Sequence, residues 1–271
     1  MHEQPAAYSA MDSPAALQVL FHPRRAPAGR LPAGAENIDV EVEPEVHLGC
    51  RLYLAQDSAA PLILYFHGNG EVVPEYDEIA SEFTRRGMHL LLTTYRGYGW
   101  SGGRPTASLM MADAERLYQA VRDLMAVRHM TGGCWLMGRS LGSAGAIELA
   151  AIHGAEIAGL IIESGFADTL PLARTLGIHW ADGRMTEEDG FRNAEKIGQV
   201  TRPTLIMHGS HDSLIPPWQA EKLAARSAAT RKRLVLIDGA QHNSMFYVGG
   251  ASYFETIRHF MDQREEGRDD K

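Results

Sequence analysis

Six short apolar runs, at residues 62–66, 90–93, 134–137, 160–162, 204–207 and 234–237, constrain the fold most; each is parted from the next by enough chain for a helix. Runs this short, without polar alternation, are the pattern of strands buried on both faces. A helix between them carries the chain back to start the next strand in the same direction, so the alternation predicts a parallel sheet with crossovers. Two earlier segments differ. Residues 38–43 alternate apolar and acidic side chains with period two, the mark of a half-exposed strand, and residues 50–54 read as its antiparallel partner. The expected class is α/β, with a mostly parallel eight-stranded sheet flanked by helices. Helices are expected over residues 76–86, 107–129, 140–153, 218–227 and 252–261, with Asp77, Ser108 and Asp113 in early turns.

Around this core the chain divides simply. Residues 1–36 are a lead-in rich in Ala and Pro, with one apolar patch at Leu17-Gln18-Val19-Leu20-Phe21, expected to lie on the main domain of residues 37–263. Arg24, Arg25 and Arg30 in that lead-in read as solvated surface charge. Residues 264–271, all charged except Gly267, form a tail expected to fray. The strand–helix rhythm lapses between Phe166 and Lys196, where Pro171, Gly177, Trp180, Gly183 and the acidic run Glu187-Glu188-Asp189 occur. An insertion of about residues 167–191 after a strand's carboxyl end is the place for a short cap.

Composition excludes several functions. A formal net charge of −8 argues against nucleic acid or an anionic membrane as the main partner. No run approaches the ~18 apolar residues of a membrane span, and residues 1–14 lack the basic start and apolar core of a secretory signal, so a cytoplasmic location is expected. Cys50 and Cys134 are too few for a disulfide framework, and Cys134 reads as a small buried hydrophobe. With neither His-Glu-x-x-His nor paired cysteines, no metal and no cofactor are expected. The glycine-rich stretch of residues 97–103 lacks the lysine of a phosphate loop and reads as turns.

The chemistry begins at Gly138-Arg139-Ser140-Leu141-Gly142, which leaves the apolar run at 134–137 and enters a helix rich in small residues. A G-x-S-x-G on a strand-to-helix turn presents the serine oxygen at the carboxyl edge of the sheet, and its glycines let strand and helix approach closely. A serine hydroxyl is a weak nucleophile, so it needs a base within hydrogen-bond reach and a third group to orient that base. All carboxyl ends of a parallel sheet face one crevice, so both partners should follow later strands. His208-Gly209-Ser210-His211-Asp212 follows one such run and Asp238-Gly239-Ala240-Gln241-His242-Asn243 another. The expected set is Ser140 as nucleophile, His242 as base and Asp212 as orienting acid. Asp238, close to His242 in the chain, reads as a turn former, Asp182 and Asp189 as solvated charge, and His208 and His211 as structural hydrogen-bonding groups. An oxyanion needs donors, and His67-Gly68-Asn69-Gly70 follows the first buried run. The backbone N–H groups of Asn69 and Leu141 are the expected donors, with Gly70 an alternative and His67 a brace for the loop. Glu71 either faces the pocket or caps the next helix. Gly70, Glu71, Arg139 and Trp180 are candidate substrate-binding residues. The cap's apolar residues (Phe166, Leu170, Leu172, Leu176, Ile178, Trp180) either receive an acyl chain or, the preferred reading, pack on the domain.

These motifs resemble the α/β-hydrolase superfamily, in particular the serine-aminopeptidase-like and monoglyceride-lipase-like branch that includes abhydrolase-domain esterases and depalmitoylases. The resemblance rests on Phe66-His67-Gly68-Asn69-Gly70, Tyr95-Arg96-Gly97-Tyr98-Gly99-Trp100-Ser101, Gly138-Arg139-Ser140-Leu141-Gly142, Leu205-Ile206-Met207-His208-Gly209 with Asp212 and Pro216, and Gly239-Ala240-Gln241-His242-Asn243, and it covers residues 61–260. Arg139 stands where Gln or His is more usual, which bears on the charge of the local pocket. The resemblance implies the α/β-hydrolase fold with a short cap, Ser140, Asp212 and His242 as triad, and Asn69 and Leu141 as oxyanion donors. It implies a serine hydrolase acting on a small acyl substrate, an ester or thioester, through an acyl-enzyme, carboxylesterase- or lysophospholipase-like in kind. An aminopeptidase or amidase of the same fold, and a binding protein that keeps the crevice for a small ligand, are the alternatives. The sequence does not define the oligomeric state.

Overall fold

In the computed structural model, which describes residues 8–177 and 185–263, the apolar runs become the strands of one sheet. The strands are β1 (Ala35–Glu43), β2 (Val46–Tyr53), β3 (Leu62–Phe66), β4 (His89–Leu92), β5 (Cys134–Arg139), β6 (Gly159–Glu163), β7 (Thr204–Gly209) and β8 (Lys232–Ile237). Their order across the sheet is β1-β2-β4-β3-β5-β6-β7-β8. β1 and β2 pair antiparallel, β2 joins β4 antiparallel, and all pairs from β4 through β8 are parallel. The eight-stranded, mostly parallel sheet is the one expected. Strand order reverses at β3, which lies between β4 and β5; such a reversal opens a crevice at the strands' carboxyl ends.

The main helices are α1 (Pro14–Leu20), α2 (Asp77–Arg85), α3 (Ala107–Val127), α4 (Gly142–Ile152), α5 (Thr169–Thr175), α6 (Asn193–Lys196), α7 (Trp218–Arg226) and α8 (Met245–Asp262). Alternate residues of each central strand point to opposite faces, and each face has its own core. Leu62, Leu64 and Phe66 pack with Leu117, Tyr118 and Val121 of α3, Ile147 of α4 and Leu223 of α7. Ile63 and Tyr65 pack with Phe83 of α2 and Phe254, Ile257 and Phe260 of α8. A third cluster lies across the carboxyl end, where Leu20 and Phe21 of the lead-in meet Leu141, Phe166, Leu172, Phe191 and Ile215.

Several local expectations are corrected. β8 is not buried on both faces: it ends the sheet, and Leu236 is 42% exposed. α8 starts earlier than expected because two helical pieces join across Gly250, whose φ of +49° no regular helix accommodates. The lead-in contains a helix the apolar patch only hinted at. Its Asp12 carboxylate accepts the Ala107 and Ser108 N–H groups, capping α3 together with Thr106. Asp113 sits deeper in α3 than an early-turn residue; it is buried and takes a two-pronged bond from Arg96, both distances 2.8 Å. Arg24 and Arg25 are not merely solvated, since both bond to backbone carbonyls of the domain, those of Gly70 and Ser101. Of the acidic cap run, Glu187 accepts the N–H groups of Thr169 and Leu170 and so caps α5.

Candidate active site

Register carries the motif loops to one place. Phe66 pairs with Gly138, Arg139 with Glu163, Glu163 with Met207, and Gly209 with Ile237, so the loops after β3, β5, β6, β7 and β8 leave the sheet side by side. At the centre is Ser140, with φ of +51°, a left-handed conformation that costs a side-chain-bearing residue free energy and turns its oxygen out of the sheet. Its N–H bonds to the Glu163 carbonyl at 2.9 Å. A Cβ on Gly138 would lie 2.4 Å from the Gly142 carbonyl oxygen, and one on Gly142 would lie 2.1 Å from that of Phe66. Both glycines are therefore required for strand and helix to meet at this turn.

The expected trio is brought together. His242 Nε2 is 2.9 Å from Ser140 Oγ, and His242 Nδ1 is 2.7 Å from Asp212 Oδ2. The partners call for a neutral imidazole that donates from Nδ1 to the carboxylate and accepts the serine proton at Nε2. Asp212 Oδ1 accepts the N–H groups of Leu214 and Ile215 at 3.0 and 2.8 Å. Burial works to raise the Asp212 pKa, but the bonds from His208 and His242 outweigh it and hold the carboxyl far below its ordinary range. His208 is fully buried, with Nε2 2.7 Å from the Ile215 carbonyl and 3.3 Å from Asp212 Oδ2. Asp238 accepts the hydroxyl of Ser210, in the loop after β7, at 3.3 Å, and makes no hydrogen bond to His242 among the described residues. Such a line of groups can remove a proton from the hydroxyl as it attacks a carbonyl and return it to a leaving group.

The loop after β3, where the oxyanion donors are expected, is braced from all sides. His67 is buried, its Nδ1–H meeting the Gly68 carbonyl at 2.7 Å and its Nε2 the Thr94 hydroxyl at 3.1 Å. Tyr95 donates to the His67 carbonyl at 2.6 Å. The Asn69 side-chain oxygen accepts the His22 N–H at 2.8 Å and the Tyr98 hydroxyl at 2.6 Å. The Gly70 N–H faces the Tyr98 hydroxyl. The N–H groups of Asn69 and Leu141 have no backbone acceptor among the described residues.

A cavity of about 190 Å³ opens at Ser140 between Leu20, His22, Leu141, Leu172, Leu176 and Leu214. Leu172 of α5 and Leu176 at its end, in the segment expected to form the cap, thus line it, while Phe166 is core. Leu20, His22 and Leu214 are wall residues that sequence reasoning missed; only the apolar patch at 17–21 signalled one of them. Trp180, with Ile178, Asp182 and Gly183, lies outside the described residues. A second cavity, about 350 Å³, shares Asn69, Arg139 and Asn243 with the first and extends beside Gly70, Glu71, Glu75, Tyr76 and Phe246. Arg139 and Glu71 border it but spend their charge on each other. Glu71 accepts the Gly68 N–H at 2.7 Å, and it is Glu75, not Glu71, that caps the following turn. No group of residues that could hold a metal ion occurs among the described residues, and no described helix is long and apolar enough to cross a membrane. Cys50 and Cys134 are buried, which pushes both thiols up to about 12.

A model of the serine aminopeptidase family S33 matches residues 57–182 and 189–246, spanning every motif loop of the site. The chain belongs to that family. This S33 α/β-hydrolase is 30% identical over 239 residues to an uncharacterised protein of Mycobacterium tuberculosis, covering 86% of this chain and 81% of that one. It is 28% identical to human alpha/beta hydrolase domain-containing protein 17B, covering 80% and 71%. Among solved structures, the Pyrococcus furiosus esterase Pf2001 superposes with a TM-score of 0.72 at 16% identity, covering 89% of this chain and 98% of the esterase. A soluble variant of Saccharomyces cerevisiae monoglyceride lipase superposes with a TM-score of 0.67 at 17% identity, covering 84% and 94%. The S33 member is thus a hydrolase-family protein with the fold of esterases and lipases.

Proposed function

We propose that this S33-family protein hydrolyses carboxylic esters of small acyl groups, and thioesters by the same steps, through an acyl-Ser140 intermediate. The observation that carries the proposal is the unbroken hydrogen-bonded line Asp212–His242–Ser140 at 2.7 and 2.9 Å. In the acylation half, Ser140 Oγ attacks the carbonyl carbon while its proton passes to His242 Nε2; the leaving alkoxide or thiolate departs with that proton. In the second half water attacks the acyl carbon, gives its proton to the same nitrogen, and Ser140 Oγ leaves and is reprotonated. The N–H groups of Asn69 and Leu141 receive the oxyanion in both halves, and one such donor is worth about 3 kcal/mol.

The cavity walls favour esters over amino-terminal peptides. Gripping an α-ammonium group in a desolvated pocket requires a carboxylate with bonding capacity to spare. Leucines line the space at Ser140, the nearby Glu71 and Glu163 are paired with Arg139, and Asp212 is paired with His242. At about 190 Å³ the space lies below the ~300–1,000 Å³ of drug-sized ligand pockets, which suits a small acyl group. A fluorophosphonate probe is expected to label Ser140 of the purified protein, with turnover of p-nitrophenyl butyrate lost in Ser140→Ala. Folded wild-type protein that takes up no probe, or that turns over aminoacyl-naphthylamides in preference to esters, would overturn the proposal.

A further inference from the structure

Arg139 immediately precedes Ser140 and borders the cavity there, yet its side chain is only 6% exposed and bonded to other groups. Its guanidinium makes four kinds of contact. Nη1 meets Glu71 Oε1, Nε lies 3.2 Å from Glu163 Oε1, and Nη2 donates to the His242 carbonyl and to Asn243 Oδ1, both at 2.9 Å. Each carboxylate is anchored again beyond the arginine. Glu71 Oε2 accepts the Gly68 N–H at 2.7 Å and the Tyr76 hydroxyl. Glu163 Oε2 accepts the hydroxyls of Tyr253 and Tyr65 at 2.8 and 3.1 Å. The loop leaves room for this cation: a Cβ on Gly68 would sit 2.5 Å from Arg139 Nη1.

We infer that Arg139 is a positioning residue that ties the oxyanion loop and the histidine loop to the nucleophile turn. The inference rests on the reading of Ser140 as nucleophile. The loops in question leave β3 and β8, which are not neighbours in the sheet, and no backbone ladder relates them. One guanidinium relates them instead. Through Glu71 it holds the N–H of Gly68, the residue before the oxyanion donor Asn69; through the His242 carbonyl it holds the backbone that carries the general base. Glu163, on the strand between the nucleophile and the acid, fixes the arginine's own position. A planar group with five donors suits this task, and an ammonium, which lacks the fork, does not. Burial opposes the charge of Arg139, but the two carboxylates raise its pKa, so the tie keeps its charge across the working range.

The test compares Glu71→Ala, Glu71→Gln and Arg139→Lys with wild-type protein in p-nitrophenyl butyrate hydrolysis, with kcat expressed per site titrated by fluorophosphonate. A displaced loop alters transition-state geometry more than ground-state binding. Glu71→Ala is therefore expected to lower kcat about 10- to 100-fold with KM within about threefold. Glu71→Gln can accept the Gly68 N–H only by turning its NH2 toward the Arg139 guanidinium, so it severs the tie while keeping side-chain size and is expected to lose kcat as Glu71→Ala does. Arg139→Lys, which keeps a charge for Glu71 but lacks the fork, should fall between wild type and Glu71→Ala. A negatively charged hemisuccinate ester is run alongside. A rise in KM confined to that ester would make Arg139 a substrate grip and overturn the inference, as would variants matching wild type in kcat per titrated site. If Arg139→Lys fails to fold, the Glu71 pair and Asn243→Ala, expected to lower kcat without raising KM, decide the question. Wild-type protein that the probe does not label counts against the nucleophile assignment; labelled and active wild type with unaffected variants counts against the tie alone.

Discussion

At the scale of single residues, Ser140, the proposed nucleophile, sits in a strained turn. Its φ of +51° is tolerated because Glu163 and two close-packed glycines hold the turn. Ser140→Ala keeps the strain, whereas Ser140→Gly relieves it, since glycine enters the left-handed region freely. Both variants are expected to be inactive, with Ser140→Gly more stable than Ser140→Ala by about 1 kcal/mol in chemical denaturation; equal midpoints would show an unstrained turn. Asp212→Asn preserves shape but offers an N–H where His242 needs an acceptor, favouring the wrong tautomer. The expected loss of kcat is on the order of 10⁴-fold, read with p-nitrophenyl butyrate. The trio was legible because each member follows an apolar run and the order along the chain matches the motif. The partners of Arg139 were not: Glu71 and Glu163 lie far from it in sequence, and no local pattern marks an ion pair formed across three strands.

At the scale of elements, the lead-in is part of the pocket. Pro14 begins α1 at a position where its missing N–H costs nothing, and the helix delivers Leu20 to the cavity wall and the His22 N–H to Asn69. Arg24 then fastens the strap to the Gly70 carbonyl at 2.7 Å. The apolar patch showed that something here is buried, but seven residues are too few for a helical period to declare itself against the Ala- and Pro-rich surroundings. The central strands were plain because burial on both faces removes polar residues altogether. β8 misled because its apolar run looks the same in sequence, although only the sheet order reveals that it forms an edge. If Leu20 bounds the acyl space, Leu20→Ala should move the optimum of a p-nitrophenyl ester series to longer chains and Leu20→Phe to shorter ones. The expected change is about 10- to 100-fold in the ratio of octanoate to acetate kcat/KM, since one methylene in an apolar pocket is worth about 1–3 kcal/mol. An unchanged ratio in both variants would remove the lead-in from the specificity surface.

At the scale of the whole molecule, stability on the acid side depends on histidines kept neutral in the interior. Burial lowers the pKa of His67, as it does that of His89. His67 spends one nitrogen on the Gly68 carbonyl and the other on the Thr94 hydroxyl, an arrangement made for the neutral ring. In the unfolded chain the same ring takes up a proton near its ordinary pKa of 6.5. Below that value the unfolded state binds more protons than the folded one, so the contribution of His67, fully present above it, drains away as pH falls toward the depressed folded value. Glu163 acts in the opposite sense at lower pH, because burial raises its pKa despite Arg139 and the folded state then holds a proton the unfolded state releases. Subtracting a variant separates the two. The slope of Tm against pH between about 7 and 5 is expected to be shallower in His67→Gln than in wild type, although the variant is the less stable protein at pH 7. Activity should track this slope only where unfolding begins, because both His67 ring nitrogens are engaged within the protein, on Gly68 and Thr94. Parallel Tm curves for the two proteins would mean that the ring takes up its proton equally in the folded and unfolded states, and the loop after β3 would then need another explanation for its rigidity.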